Sequence, residues 1–200
     1  MDPYLSGIIE TTKGFLLSPV ETFQKNAETS LSKAFQYYAI LVVFYAILFS
    51  IVEGIVLSSG LFQYEESLFV FAIGLLVPLL ICIIVVAALI GVFFQGLFQH
   101  IFVLLVGGEQ GVVQTLKASM YSGVPALVLG WIPIVNIIAG IWSFVLLVLG
   151  IRELHEISTA RAIAAVLIPG VLFILLVILL VLCIIVFIGI GILEMVNLLL

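Results

Sequence analysis

Long apolar runs separated by short polar stretches dominate this chain. The runs lie at about 34–57, 68–106, 118–131, 134–151 and 170–193. A continuous apolar run of some 18 residues or more spans the roughly 30 Å hydrocarbon core of a bilayer as a helix. A membrane barrel is excluded, because its strands would alternate apolar and polar residues over about ten positions. With no water in the bilayer core to satisfy backbone groups, helices are the remaining solution. The pattern predicts an all-α polytopic membrane protein, a bundle of five transmembrane helices. Residues 1–33 precede the bundle as cytoplasmic or interfacial amphipathic helices, and 34–200 form the transmembrane domain.

Before the first run, Leu5, Ile8, Ile9, Thr12, Phe15 and Leu16 recur at helical spacing, opposite Ser6, Glu10, Thr11 and Lys13. This reads as a short amphipathic helix in the membrane interface. Ser18-Pro19-Val20-Glu21 then reads as a helix start, with Ser18 as N-cap and Glu21 completing a capping box. The following helix presents Val20, Phe23, Ala27 and Leu31 on one side. Tyr37 and Tyr38 stand at the inner end of the first crossing, as interfacial aromatics do. Its far end leads to an outer loop with Ser58-Ser59-Gly60 and Glu65-Glu66.

The stretch 68–106 is too long for one crossing: as a helix it spans about 58 Å at 1.5 Å per residue. It is either a tight hairpin or one crossing (68–92) with a polar extension (93–106). Charge decides. Lys13, Lys25 and Lys33 precede the first run, Lys117 lies between the second and third, and Arg152 and Arg161 lie between the fourth and fifth. A single crossing puts all six cations on one side, and that side is cytoplasmic. A hairpin would move three of them outside. The N-terminus is then inside and the C-terminus outside.

Gly107-Gly108 ends that long stretch, and 110–118 reads as a short polar turn. The third segment, 118–131, is short and interrupted by Gly123, Pro125 and Gly130, with Trp131-Ile132-Pro133 as an outer turn. Interrupted helices line some transporter sites, but no second interrupted pair stands in an inverted repeat. After the fourth run, Ser158 is an N-cap for a short Ala-rich helix, 159–168, which Pro169-Gly170 separates from the last crossing.

Composition sharpens this picture. The chain is 65% hydrophobic and 8% charged, with a mean hydropathy of +1.49; a soluble chain would carry about 25% charged residues. A net charge of −5 and the lack of any basic cluster exclude nucleic acid as a partner and give no polybasic lipid site. Cys82 and Cys183 fall inside apolar runs and read as buried structural thiols. The N-terminus does not have the form of a cleavable signal peptide. No nucleophile arrangement, phosphate loop or zinc-protease motif is present, so neither enzymatic activity nor a cofactor is expected.

The polar residues within or beside the runs are the candidates for chemistry. Glu53 is the costliest to bury, at about 2.5–3.5 kcal/mol for a central charge. It is either an interfacial carboxylate near Tyr64 or a cation or proton site. Gln95, Gln99 and His100 form a stripe that either packs helices or lines a small cavity. Arg152, Glu153, His155, Glu156 and Arg161 share one inner loop, as a topological anchor or as a docking surface for a soluble partner or lipid headgroup; Lys117 joins that face. His100 and His155 lack the fixed spacing of a metal site.

From Gly107 to Pro169 the chain carries Gly107-Gly108, Lys117, Tyr121, Pro125, Pro133, Trp142, Leu149-Gly150-Ile151-Arg152-Glu153-Leu154-His155, Ser158 and Ala162 in order. This resembles the prokaryotic branch of the YIP domain family, membrane proteins that interact with Ypt/Rab GTPases. Pro19, Phe23 and His100 also fall at that family's spaced positions, so the resemblance covers roughly 15–185. It implies five membrane helices, a cytoplasmic N-terminus and a bacterial- or archaeal-type cell membrane, and it marks Arg152 and His155. Eukaryotic relatives organise membranes and partner with Rab-type GTPases and with one another. This chain lacks their long N-terminal region and their Asp-Leu-Tyr-Gly-Pro motif, so Rab binding is not expected. The resemblance points to a membrane-organising or interaction scaffold whose partners are the bilayer and other membrane proteins or itself. The alternative is a small-solute, proton or cation transporter using Glu53 and the Gln95/Gln99/His100 stripe.

Overall fold

The computed structural model describes the backbone of residues 2–58 and 67–199, and the side chains of 2–56 (Pro3 apart) and 76–189. The expected outer loop at 59–66, with Tyr64, Glu65 and Glu66, lies outside the described residues. Among the described residues eight helices follow one another: α1 (Pro3–Leu17), α2 (Pro19–Lys25), α3 (Leu31–Ser58), α4 (Ser67–Leu105), α5 (Val112–Ser122), α6 (Val124–Leu129), α7 (Val135–His155) and α8 (Thr159–Leu199). Among the described residues no strand occurs.

Among the described residues, four helices are long and apolar enough to cross a membrane: Leu31–Val56, Leu76–Leu105, Val135–His155 and Thr159–Gly189. The chain is therefore a multi-pass integral membrane protein. The long stretch after the outer loop is one continuous helix, α4, and not a hairpin. The expected crossing at 118–131 is not a fifth such helix. Gly123 separates α5 from α6, and α6 ends after six residues at Gly130.

α5 is the core of the molecule. From Thr115 to Ser122 every residue is buried, because α5 packs against α3, α4 and α7 at once. These three helices screen it from lipid, so a helix of low hydrophobicity can sit at the centre. The stretch read from sequence as a polar turn, 110–118, thus supplies most of the innermost helix. In lipid the inward face is where polar residues find partners.

The expected break at Pro169 is also absent: α8 runs through it. Proline removes one helix hydrogen bond, leaving the carbonyl four residues earlier unsatisfied. That carbonyl belongs to Ala165, and the Gln99 side chain donates to it at 2.7 Å. A partner on α4 thus supplies the bond that Pro169 cannot, a known way for membrane helices to tolerate proline.

The N-terminal helices are docked rather than free. Phe15 and Phe23 are fully buried. Phe15 stacks on Tyr121 with ring centroids 4.7 Å apart and meets Phe23 edge-on at 4.9 Å. Tyr37 joins the cluster beside Tyr121, 5.9 Å away, and its hydroxyl bonds to Thr12 at 2.8 Å. Tyr37 and Tyr38 are thus buried, not interfacial as their position suggested. Gly150 permits this docking: a Cβ there would come within 2.8 Å of the Phe23 ring. Leu5, Ile9 and Leu17 stay exposed on α1, an apolar edge consistent with contact with the interface. Ser18 is the cap residue of α2, but its side chain makes no capping bond; Thr22 instead donates its hydroxyl to the Ser18 carbonyl at 2.8 Å. Cys82 and Cys183 are exposed at the bundle surface, not buried, since an apolar side chain in this environment can face lipid.

Candidate functional site

The polar residues converge at one end of the bundle, where α4, α7 and the chain before α3 end and α5 and α8 begin. Gly107-Gly108 builds the first corner. Gly107 has φ +90°, and the Gly108 N–H donates to the Val103 carbonyl at 2.9 Å, the bond that closes a left-handed helix end. Glu156 closes α7 the same way with φ +54°, and the Ile157 N–H donates to the Arg152 carbonyl at 3.2 Å.

Thr115 sits between two histidines. Its hydroxyl lies 2.8 Å from His100 Nδ1 and 2.8 Å from His155 Nε2. One hydroxyl has one proton and cannot donate to both rings, so at least one imidazole donates to it. His155 is buried, and its Nδ1 has no partner. Gly108 lies against that nitrogen, and a Cβ at Gly108 would come within 3.1 Å of it. The three side chains tie α4, α5 and α7 into one layer. Glu153 faces elsewhere, so the two histidines do not gather a carboxylate around themselves.

Lys117 is 2% exposed and so offers no surface to a partner or headgroup. Its ammonium donates to the Ala27 carbonyl and, at 3.0 Å, to the Thr29 carbonyl. Gln114 also donates to the Ala27 carbonyl, at 3.3 Å. The chain between α2 and α3 is thereby fastened to the central helix.

Arg152 and Glu153 pair at 2.6 Å, and both are largely covered. The second Glu153 oxygen accepts from the Gln24 amide at 2.7 Å, which fastens α2 to the end of α7. Arg161 is exposed, on the first turn of α8. Lys25 and Glu10 form a solvated pair at 3.0 Å, three-quarters exposed on each side, of a kind worth about 0–1 kcal/mol.

The nine sequence candidates therefore separate. Lys117, Arg152, Glu153, His155 and His100 lie in the layer at this end, with Gln99 bonded to the Ala165 carbonyl. Arg161 stands at its rim. Gln95 lines a cavity nearer the bundle centre. Glu53 is half-buried and 22 residues beyond the start of α3, about 33 Å along the helix axis. Sequence reasoning missed Thr115, Gln24 and Gln114. For Gln114 and Thr115 the signal was the density of polar residues on α5 between two long apolar helices; Gln24, on α2, carried no such signal.

Comparison with known proteins places this architecture. No curated protein and no solved structure matches the chain. The family model of the Yip1 domain matches residues 13–182, a span that takes in the end of α1 with Phe15, all of α2, the central α5 and the whole layer of helix ends. The chain belongs to the Yip1 domain family.

Proposed function

We propose that this protein is a non-catalytic membrane scaffold that crosses the bilayer five times, with its N-terminus and the layer of helix ends in the cytoplasm and its C-terminus outside. The observation that carries this reading is how its polar groups are used. Lys117 clamps Ala27 and Thr29, Gln24 clamps Glu153, Gln99 completes α8, and Thr115 joins His100 to His155. These groups lock helices together; they do not line a route through the bundle. A transport role needs Glu53 to share a path with the Gln95/Gln99/His100 stripe, and the helix-axis distance and the separate partners speak against it.

The fifth crossing follows from connectivity. The start of α5 and the end of α7 lie in the same layer, joined through Thr115 and His155. α7 is 21 residues long, about 31 Å at 1.5 Å per residue. The chain between them must therefore traverse the bundle, and α5 with α6 carries it across in two short pieces. All six cations then sit on one side, as the distribution of Lys and Arg in membrane proteins requires.

The working surface is the exposed part of this face: Lys13, Lys25 and Arg161 with the apolar edge of α1. Its partners are other membrane proteins or further copies of the chain. Photocrosslinkers at Lys13, Lys25 and Arg161 in native membranes should capture a small set of discrete neighbours, while one at Cys82 captures lipid. Lipid adducts and free monomer alone from all four positions would reject the scaffold reading.

A further inference from the structure

The bundle is not filled between α3, α4, α5 and α7. A cavity of about 460 Å³ lies there, on the order of fifteen waters at roughly 30 Å³ each. Its wall is mostly apolar, but it carries four serine and glutamine groups: Gln95, Ser119, Ser122 and Ser143. Ser122 donates to the Ser119 carbonyl at 2.9 Å, and Ser143 accepts from the Ala126 N–H at 3.1 Å. Ser119 is different. It is 6% exposed, and its hydroxyl has no partner. A buried hydroxyl without a hydrogen bond destabilises the fold unless something supplies one.

The chemistry of the occupant follows from what surrounds that hydroxyl. No Asp, Glu, Lys, Arg or His lines the cavity, so a phosphate or ammonium would be desolvated there without a counter-charge. Gln95 and Phe144, which line it from α4 and α7, are exposed on the outside of the bundle, so the cavity opens sideways toward lipid. Gln95 stands ten residues before the end of α4, about 15 Å along its axis from the layer of helix ends. Acyl chains can enter from the side but offer no hydrogen bond. We propose that the cavity binds the uncharged hydroxyl- and ester-bearing head of a neutral lipid of the diacylglycerol type, entering between α4 and α7, with its hydroxyl on Ser119 and Gln95 and its chains left in the bilayer.

Gly91 provides a clean obstruction. It lines the cavity, and a Cβ there meets nothing within 4 Å. The full-length protein would be placed in phosphatidylcholine nanodiscs with a trace of photoactivatable diacylglycerol or, separately, photoactivatable phosphatidylcholine. Adducts would then be mapped by mass spectrometry. The diacylglycerol probe should label peptides spanning 88–95 and 119–127, and excess unlabelled diacylglycerol should compete. Gly91→Leu should cut that labelling at least tenfold, and Ser119→Ala about fivefold, as for one lost hydrogen bond. Ser119→Ala removes a buried group with no protein partner, so its thermal midpoint should not fall below the parent's; it serves if Gly91→Leu does not fold. Equal labelling by both probes, or labelling that survives both substitutions, would overturn the proposal and leave an open groove filled by bulk lipid.

Discussion

The Lys117 ammonium reaches the two carbonyls of Ala27 and Thr29 from the centre of the bundle, and this is what a buried lysine needs to remain charged. Lysine carries three donors and no acceptor, and backbone carbonyls at a helix connection are free to accept. Lys117→Met keeps the bulk of the stem and deletes the donors. It should lower stability by about 2 kcal/mol, the order expected when buried carbonyls lose their partner, read as a reduced thermal midpoint in detergent. Sequence alone assigns Lys117 to a surface at the inner end, whereas its ammonium points into the bundle; charge bears on which side of the membrane a lysine takes and not on whether it points inward.

At the scale of helices, Gln99 and Pro169 form one device. Proline deletes a backbone donor from α8, and a glutamine on α4 replaces it from the side. Their energies should therefore be coupled. Gln99→Leu alone should cost about 1–2 kcal/mol, since it strands the Ala165 carbonyl. Pro169→Ala restores an N–H to that carbonyl, so Gln99→Leu in the Pro169→Ala background should cost less than half as much. A double-mutant cycle on thermal or denaturant unfolding would measure the difference; strict additivity would mean that Gln99 merely packs. Neither half was legible by itself. Pro169-Gly170 reads as a helix break because, in water, a proline at that position ends most helices. Gln99 reads as part of a stripe with Gln95 and His100, yet the three turn out to serve the Ala165 carbonyl, the cavity and Thr115. The long apolar helices were legible because lipid demands length and hydrophobicity of each helix by itself. The pairings were not, because helix contact in lipid depends on small residues and individual polar partners, which have no period to detect. α5 is the extreme case, its polarity pointing inward where water-based reasoning points it out.

For the molecule as a whole, the position of the turn before α7 decides the topology. Ile134 lies there, 81% exposed, while Arg161 lies on the first turn of α8, just beyond the other end of α7. If α5 and α6 together cross the bilayer, Ile134 faces outside and Arg161 faces the cytoplasm. If that pair only dips into the membrane and returns, α7 must run the other way, and Arg152 and Arg161 are carried outside against the charge rule. With Cys82 and Cys183 replaced by alanine, single cysteines at Lys13, Ile134 and Arg161 can be probed with a membrane-impermeant maleimide on intact cells and on inverted vesicles. Cysteine at 134 should react from outside only, and cysteines at 13 and 161 from inside only. Reaction of 134 from inside together with 161 from outside would remove the fifth crossing. Because both positions flank one helix, α7, that reversal could not be explained by a shift of register, and it would also take Arg161 away from the surface it shares with Lys13 and Lys25.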